Sequence, residues 1–292
     1  MSNRFLSEEI LRQVWLEKGL QEALIGLYSF RQGRNRYPKV TLVAEKMLSL
    51  NLAVQERGRL SLTPAGTSLA YNLAEYRSQV ERDVLKPVLE RLKIDEKSTV
   101  LDFGCGGGQT LLAIFRFNPG QVTGIDRDGY AVEFADFLFR QKGTPPERYS
   151  FFNSEISAVS LPEGYFTHVI CRGVLQRVKV NQALSALSRF SKDNGRICIL
   201  VNSPGYYLSR LKIILRNPAW LGYFLFVFFN GLLFAAFGRQ ATLRVGRRRL
   251  SEIFFTEGSL RRALRRNGFK IESFHRPKRN RPGMFEVFGV KF

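Results

Sequence analysis

The sequence predicts an α/β protein: a seven-stranded sheet, preceded by a small helical domain and interrupted late in the chain by an apolar segment. Three observations carry this. Short apolar runs alternate with helical patterns from residue 99 to residue 201, as strand–helix–strand units require. A glycine-rich turn, Gly104, Gly106, Gly107 and Gly108, follows the first of these runs. Two further strand patterns, 269–274 and 285–291, close the chain after residues 220–238, which hold no charged side chain.

With 292 residues the chain can bury a large core, as one domain or as one plus a small one. It carries 45 Lys plus Arg against 25 Asp plus Glu, a formal charge of +20. Such an excess favours a polyanionic neighbour, either nucleic acid or an anionic membrane face. The cysteines Cys105, Cys171 and Cys198 form an odd set without metal-ligand spacing, so a disulfide framework and a metal site are not expected. They read as reduced thiols of a cytoplasmic protein. Residues 1–10 are charged early and lack an apolar core, unlike a secretory signal.

Residues 1–81 form the first predicted domain. Ser7-Glu8-Glu9 caps an amphipathic run with Ile10, Leu11, Val14 and Trp15. Apolar-periodic runs follow over 20–30 and 40–50, then two short strands around Gly58. Thr63 and Pro64 open another helix, as cap and first helical residue. Helices, a small ribbon and the L-T-P-A-G stretch together resemble a winged helix. Arg31, Arg34, Arg36 and Lys39 are basic, which leaves nucleic acid open as a partner. Residues 40–50 nevertheless offer mainly Glu45 and Lys46, and no Arg, Asn or Gln set to read base edges. Small-molecule O-methyltransferases carry a similar module for dimer contacts and for closing the substrate pocket, so a homodimer is open too.

Residues 82–292 form the second domain. A helix over 84–92 leads to strands at 99–101, 121–125, 149–152, 166–171 and 196–201, the last entered through a turn at Asn194-Gly195. The first strand ends on Asp102 and runs into Gly104-x-Gly106-x-Gly108. Glycines there permit positive φ and close approach of a ligand, and the free N–H groups of the new helix are expected to face that ligand. A dinucleotide site wants G-x-G-x-x-G; here Gln109 stands where the third glycine belongs. The pattern D-x-G-x-G-x-G instead resembles the first motif of class I S-adenosylmethionine (SAM)-dependent methyltransferases. That resemblance covers about 200 residues and implies a Rossmann-like domain with SAM as cofactor. It implies that Asp102, Gly104, Gly106 and Gly108 hold the cofactor. Asp126, ending the second strand, suits two ribose hydroxyls, and Arg127 beside it can cover the adenine face. The resemblance also implies that Ser154 and Glu155 occupy the place of the adenine-contacting acid and that Arg172 borders the methyl-transfer site.

Related O-methyltransferases place a catalytic His just after the fourth strand, where this chain has Gln176. The two histidines lie elsewhere: His168 inside the fourth strand as a core residue, His275 at the end of the sixth. No catalytic residue is therefore assigned. Glu155, Arg172, Gln176, Tyr206 and Tyr207 are pocket candidates.

Residues 204–255 read as an insertion. The apolar run 220–238 is long enough to span a bilayer, but strands of one sheet lie on either side of it. An in-plane helix, or a hairpin bent at Asn230-Gly231, or a buried lid, fits that topology. Arg210, Lys212 and Arg216 precede the run; Arg239, Arg244, Arg247, Arg248 and Arg249 follow it. Each contributes about 1 kcal/mol near an anionic lipid surface. The reading is a SAM-dependent methyltransferase acting on a hydrophobic small-molecule or lipid-linked acceptor, cytoplasmic and peripheral on the inner membrane face. The alternatives are an RNA or protein methyltransferase that uses the basic surface, and a winged-helix binding protein with a SAM-sensing domain.

Overall fold

The structure, a computed structural model, describes residues 6–32, 36–209, 218–246, 248–276 and 283–292. Arg34, Arg210, Lys212, Arg216 and Arg247, named above as basic flanks, lie outside them. The chain divides into two compact units. One takes Met1–Lys93, Cys105–Asn118 and Thr123–Asn153; the other takes Ile94–Gly104, Pro119–Val122 and Ser154–Phe292.

In the first unit, α1 (Glu8–Leu16) starts where the Ser7 hydroxyl accepts the Ile10 N–H, 3.2 Å. It buries Leu11 and Val14; α2 (Lys18–Arg31) buries Leu20, Leu24 and Leu27. The helix expected over 40–50 is shorter. It begins as a 3-10 turn, Thr41–Val43, before α3 (Ala44–Ser49). The β-branched Val40, Thr41 and Val43 at its start disfavour regular α geometry. Strands β1 (Ala53–Glu56) and β2 (Arg59–Leu62) pair antiparallel. Helix α4 (Pro64–Tyr76) opens as expected, with the Thr63 hydroxyl accepting the Gly66 N–H at 3.1 Å. A π-turn, Arg77–Glu81, extends it, and α5 (Lys86–Leu89) follows.

The sheet elements then alternate: β3 (Thr99–Phe103), α6 (Gln109–Ile114), β4 (Gln121–Asp126), α7 (Gly129–Gln141), β5 (Tyr149–Asn153), β6 (Phe166–Arg172), α8 (Val180–Phe190) and β7 (Ser191–Asn202). After β7 come α9 (Pro204–Leu208), α10 (Pro218–Phe237), the hairpin β8 (Leu243–Val245) and β9 (Arg248–Leu250), α11 (Glu257–Arg266), β10 (Phe269–His275) and β11 (Met284–Lys291). Seven strands make one mixed sheet in the order β10-β11-β7-β6-β3-β4-β5. Strand β6 runs parallel to β3 and β7, and β11 runs antiparallel to β7 and β10. The central strands β3, β4 and β6 are buried over most of their length. The turn expected at Asn194-Gly195 lies inside β7 instead. Pairing with β6 jumps from Ser191 to Arg196, and Asn194 takes φ 61° in the intervening irregularity. All three cysteines are buried and free, and His168 is a buried strand residue.

Helix α10 corrects the expectation of a bend at Asn230-Gly231: it runs unbroken through both residues. Gly231 is there for close packing. A Cβ on it would lie 2.5 Å from the Phe254 ring. The Asn230 amide is spent on a neighbouring segment. It donates to the carbonyls of Ala241 and Glu252, both 3.1 Å, and accepts the Ala241 N–H at 2.7 Å. One face of the helix, with Phe224, Val227, Asn230 and Phe234, is buried; Leu225, Phe229, Leu232 and Phe237 on the other are exposed. Among the described residues, no helix is long and apolar enough to cross a membrane.

Candidate cofactor site

Strand β3 carries Asp102 to the start of the turn. The side chain is 1% exposed, and its residue pairs with Ile170 of β6. Gly104 follows with φ +78°, and Val174, from the loop after β6, lies so close that a Cβ would sit 2.0 Å from its Cγ2. Gly106 (φ +52°) and Gly108 (φ +74°) are left-handed as well. Three such positions at alternate residues explain the glycine spacing, since only glycine adopts them without strain.

The N–H groups of the turn itself, Cys105 to Gly108, are bonded within the protein. The Cys105 N–H donates to the Ile125 carbonyl, 3.1 Å, and the Gly108 N–H to the Cys105 carbonyl, 3.0 Å. The Gly106 N–H donates to Asp126 Oδ2, 2.9 Å, and the Gly107 N–H to Asn72 Oδ1, 2.7 Å. The turn is tied to its own surroundings, because side chains from β4 and α4 reach it before any ligand does. These four N–H groups are therefore not offered to a phosphate.

Asp126 ends β4. Its Oδ1 accepts the Asp128 N–H at 2.9 Å while Oδ2 accepts Gly106. Burial pushes its carboxyl above the ordinary range; the two N–H bonds pull the other way, and the neighbouring Asp128 charge adds to the rise. Arg127 is exposed. Strand β5 ends on Asn153, whose amide donates to the Asp126 carbonyl, 3.2 Å. Ser154 and Glu155 come after the strand. The Ser154 hydroxyl donates to the Glu155 carbonyl, 3.0 Å, and the Glu155 side chain is exposed.

In the second unit, Arg172 ends β6, half-buried, and the loop 173–177 follows. Gln176 is 1% exposed. Its amide donates to the Gly173 carbonyl, 2.9 Å, while its buried Oε1 has no hydrogen-bond partner. The segment 251–255 lies against this loop: the Ile253 N–H donates to the Gln176 carbonyl, 2.9 Å, and the Phe255 N–H to the Asn202 carbonyl at the end of β7, 3.0 Å. That brings Glu252 to Tyr207, whose hydroxyl donates to Glu252 Oε1 at 2.7 Å. Burial first, and the Glu252 charge second, push both the Tyr207 and Tyr223 hydroxyls far up. Both stay protonated donors. The Gln176 amide has no useful basicity and is no general base.

Sequence reasoning missed Asn72, Asn153 and Glu252. Each had a signal: Ser68 and Asn72 are polar at i and i+4 among the apolar Leu69, Ala70 and Leu73, Asn153 ends a strand pattern, and Glu252 is the lone acid in an apolar stretch.

The residues present fit SAM. Its donors include an ammonium group and two ribose hydroxyls, and Asp102 near the end of β3 and Asp126 at the end of β4 are carboxylates of the kind that accept from such groups. SAM carries no phosphate, and the turn has no outward N–H to spare for one. Among the described residues, no group of three or more His, Cys, Asp or Glu is placed to hold a metal ion.

Residues 101–199 match the family model described as a methyltransferase domain. Over 102 residues the chain is 28% identical to the ribosomal protein L11 methyltransferase of Methylobacillus flagellatus, which is 35% of this chain and 32% of that protein. The chain thus spans about a third of the length of that curated relative. Its fold resembles a solved S-adenosylmethionine-dependent methyltransferase, described as putative, from Listeria monocytogenes (TM-score 0.52, 15% identity, 73% of this chain and 99% of that one). It also resembles SAM-dependent methyltransferases from Methanosarcina mazei (TM-score 0.51, 19% identity, 70% and 97%). Residues 101–199 thus match a methyltransferase domain, and the fold around them is that of solved S-adenosylmethionine-dependent methyltransferases.

Proposed function

We propose that the chain transfers a methyl group from SAM to a hydrophobic small-molecule or lipid-linked acceptor at an anionic membrane surface. Asp102, Gly104, Gly106, Gly108 and Asp126 hold the cofactor, Arg127, Ser154 and Glu155 border its adenosine part, and Arg172 borders the methyl-transfer end. One observation carries the choice of acceptor: α10 leaves a whole apolar face uncovered, with Phe229 64% and Phe237 70% exposed. Cations stand at its C-terminal end. Arg262 donates to the Ala235 carbonyl, and the Arg266 guanidinium lies against Gly238. An apolar face with arginines at its end suits a helix lying in the headgroup region. The cytoplasmic face of a membrane, rich in anionic lipid, is the natural partner.

Residues 1–81 are read as a winged-helix-like module, on the order of three helices, hairpin and α4. Residues 82–292 are then the methyltransferase domain, with 204–255 as its insertion. A second reading is a protein or RNA acceptor. The likeness to a ribosomal protein methyltransferase and the +20 charge favour it; the uncovered apolar face does not.

Vesicle co-sedimentation tests the proposal. The wild type should pellet with phosphatidylglycerol vesicles and not with phosphatidylcholine ones, and deletion of residues 220–238 should release it. Incubation with methyl-labelled SAM and a cell extract should put label into the organic phase. Label in protein or RNA, with no vesicle binding, would favour the second reading.

A further inference from the structure

Helix α4 packs Leu69, Ala70 and Leu73 into an apolar core, yet carries two buried polar side chains, Ser68 and Asn72; Gln79 in the π-turn is a third. At 3.6 residues per turn, positions 68, 72 and 79 fall on one side of a helix. The partners they find outside their own helix lie in the loop after β4, in the glycine turn and in the first turn of α6. The Ser68 hydroxyl donates to Asp128 Oδ2, 2.7 Å, in the loop after β4. Asn72 Oδ1 accepts the Gly107 N–H at 2.7 Å and Gln109 Nε2 at 3.1 Å, while the Asn72 carbonyl accepts the same Gln109 amide at 2.7 Å. Gln79 Oε1 accepts the Thr110 hydroxyl, 2.8 Å. The Asn72 amide cannot turn round, because its Nδ2 donates back to the Ser68 carbonyl, 2.9 Å.

These contacts go to the cofactor turn and to the neighbour of Asp126. Gly107 lies between Gly106 and Gly108, and the Asp128 N–H is one of the two donors that orient the Asp126 carboxylate. For stability alone, apolar residues would serve this interface as well as buried amides. Amides fix the turn in one shape because each donor and acceptor must be met. We infer that Asn72 is a positioning residue of the cofactor site, holding the glycine turn in its binding shape, so that α4 belongs to that site. The inference rests on the reading of residues 102–108 as the SAM turn.

The test is calorimetry of the full chain with SAM, with thermal melting of each variant alongside. Asn72→Ala should weaken SAM binding about tenfold or more, and Gln109→Ala by a similar factor, each change removing hydrogen bonds to buried partners. The double variant should lose less than the two single losses added, since the Gln109–Asn72 side-chain bond is removed by either change. Leu24→Ala, a cavity in the core of the N-terminal helices, should lower the melting temperature at least as much and leave SAM affinity within about twofold. Should Asn72→Ala not fold, Gln109→Ala carries the test. SAM affinity within about threefold of wild type in both Asn72→Ala and Gln109→Ala would overturn the inference, as would an equal loss in Leu24→Ala. Absence of SAM binding by the wild type would overturn the cofactor reading first, and the inference with it.

Discussion

Adding one methyl group to Gly104 should damage the protein in a way that can be dissected. The residue holds φ +78°, and an alanine Cβ would lie 2.0, 2.8 and 3.0 Å from Cγ2, Cβ and Cγ1 of Val174. Left-handed backbone costs a non-glycine residue about 1–2 kcal/mol, and overpacking of this kind about 1–3 kcal/mol. Gly104→Ala should therefore lose roughly 2–5 kcal/mol of stability, read from the denaturation midpoint at unchanged slope. SAM affinity should fall with it, because the turn and the loop after β6 must move apart. Val174→Ala removes the 2.0 and 3.0 Å contacts and leaves the φ cost in place. In the double variant about 1 kcal/mol or more should return, a favourable coupling between touching residues. A loss below about 0.5 kcal/mol in Gly104→Ala, or purely additive losses in the double variant, would refute the reasoning.

Three further outcomes follow from the same geometry. Asp126 has a carboxyl raised by burial. A raised folded-state value means that its protonation favours the folded apo protein, a contribution fully present below the unfolded value and lost as pH rises through the folded one. SAM needs the ionised form, so affinity should fall with pH before the ordinary carboxylate range is reached, and Asp126→Asn should flatten that dependence; a flat wild-type profile by calorimetry contradicts it. Asn230→Leu leaves the Ala241 and Glu252 main-chain groups unmet. It should cost about 1–3 kcal/mol, with faster hydrogen exchange confined to residues 238–255; uniform exchange across the chain would mean that Asn230 ties down nothing local. Gln176→Ala should slow label transfer from SAM by less than the roughly 100-fold seen when a true base is lost; a larger drop at unchanged SAM affinity would give Gln176 a direct role.

Much of the fold was legible because its signals are local. Ser7 and Thr63 cap the helices they precede, and the apolar runs from 99 to 201 became β3 to β7. Gly104, Gly106 and Gly108 marked the turn because left-handed backbone leaves few alternatives to glycine. What stayed hidden depended on residues far apart. Nothing near Gly107 announces that its N–H is met by Asn72, 35 positions earlier. Gly231 reads as a helix breaker until the Phe254 ring is seen lying on it. Glu252 gains its interest only from Tyr207, brought to it when residues 251–255 lie along the loop after β6. Asn194-Gly195 carries a turn signal that the sheet absorbed as an irregularity within β7.

The four N–H groups of the turn, Cys105 to Gly108, are bonded within the protein and are not offered to a phosphate; SAM, the proposed cofactor, carries none. Calorimetry of the wild type against SAM, S-adenosylhomocysteine and NAD tests that choice of cofactor. The two adenosyl compounds should bind one per chain, and NAD should give no heat. Saturable binding of NAD, or silence with both adenosyl compounds, would contradict the account.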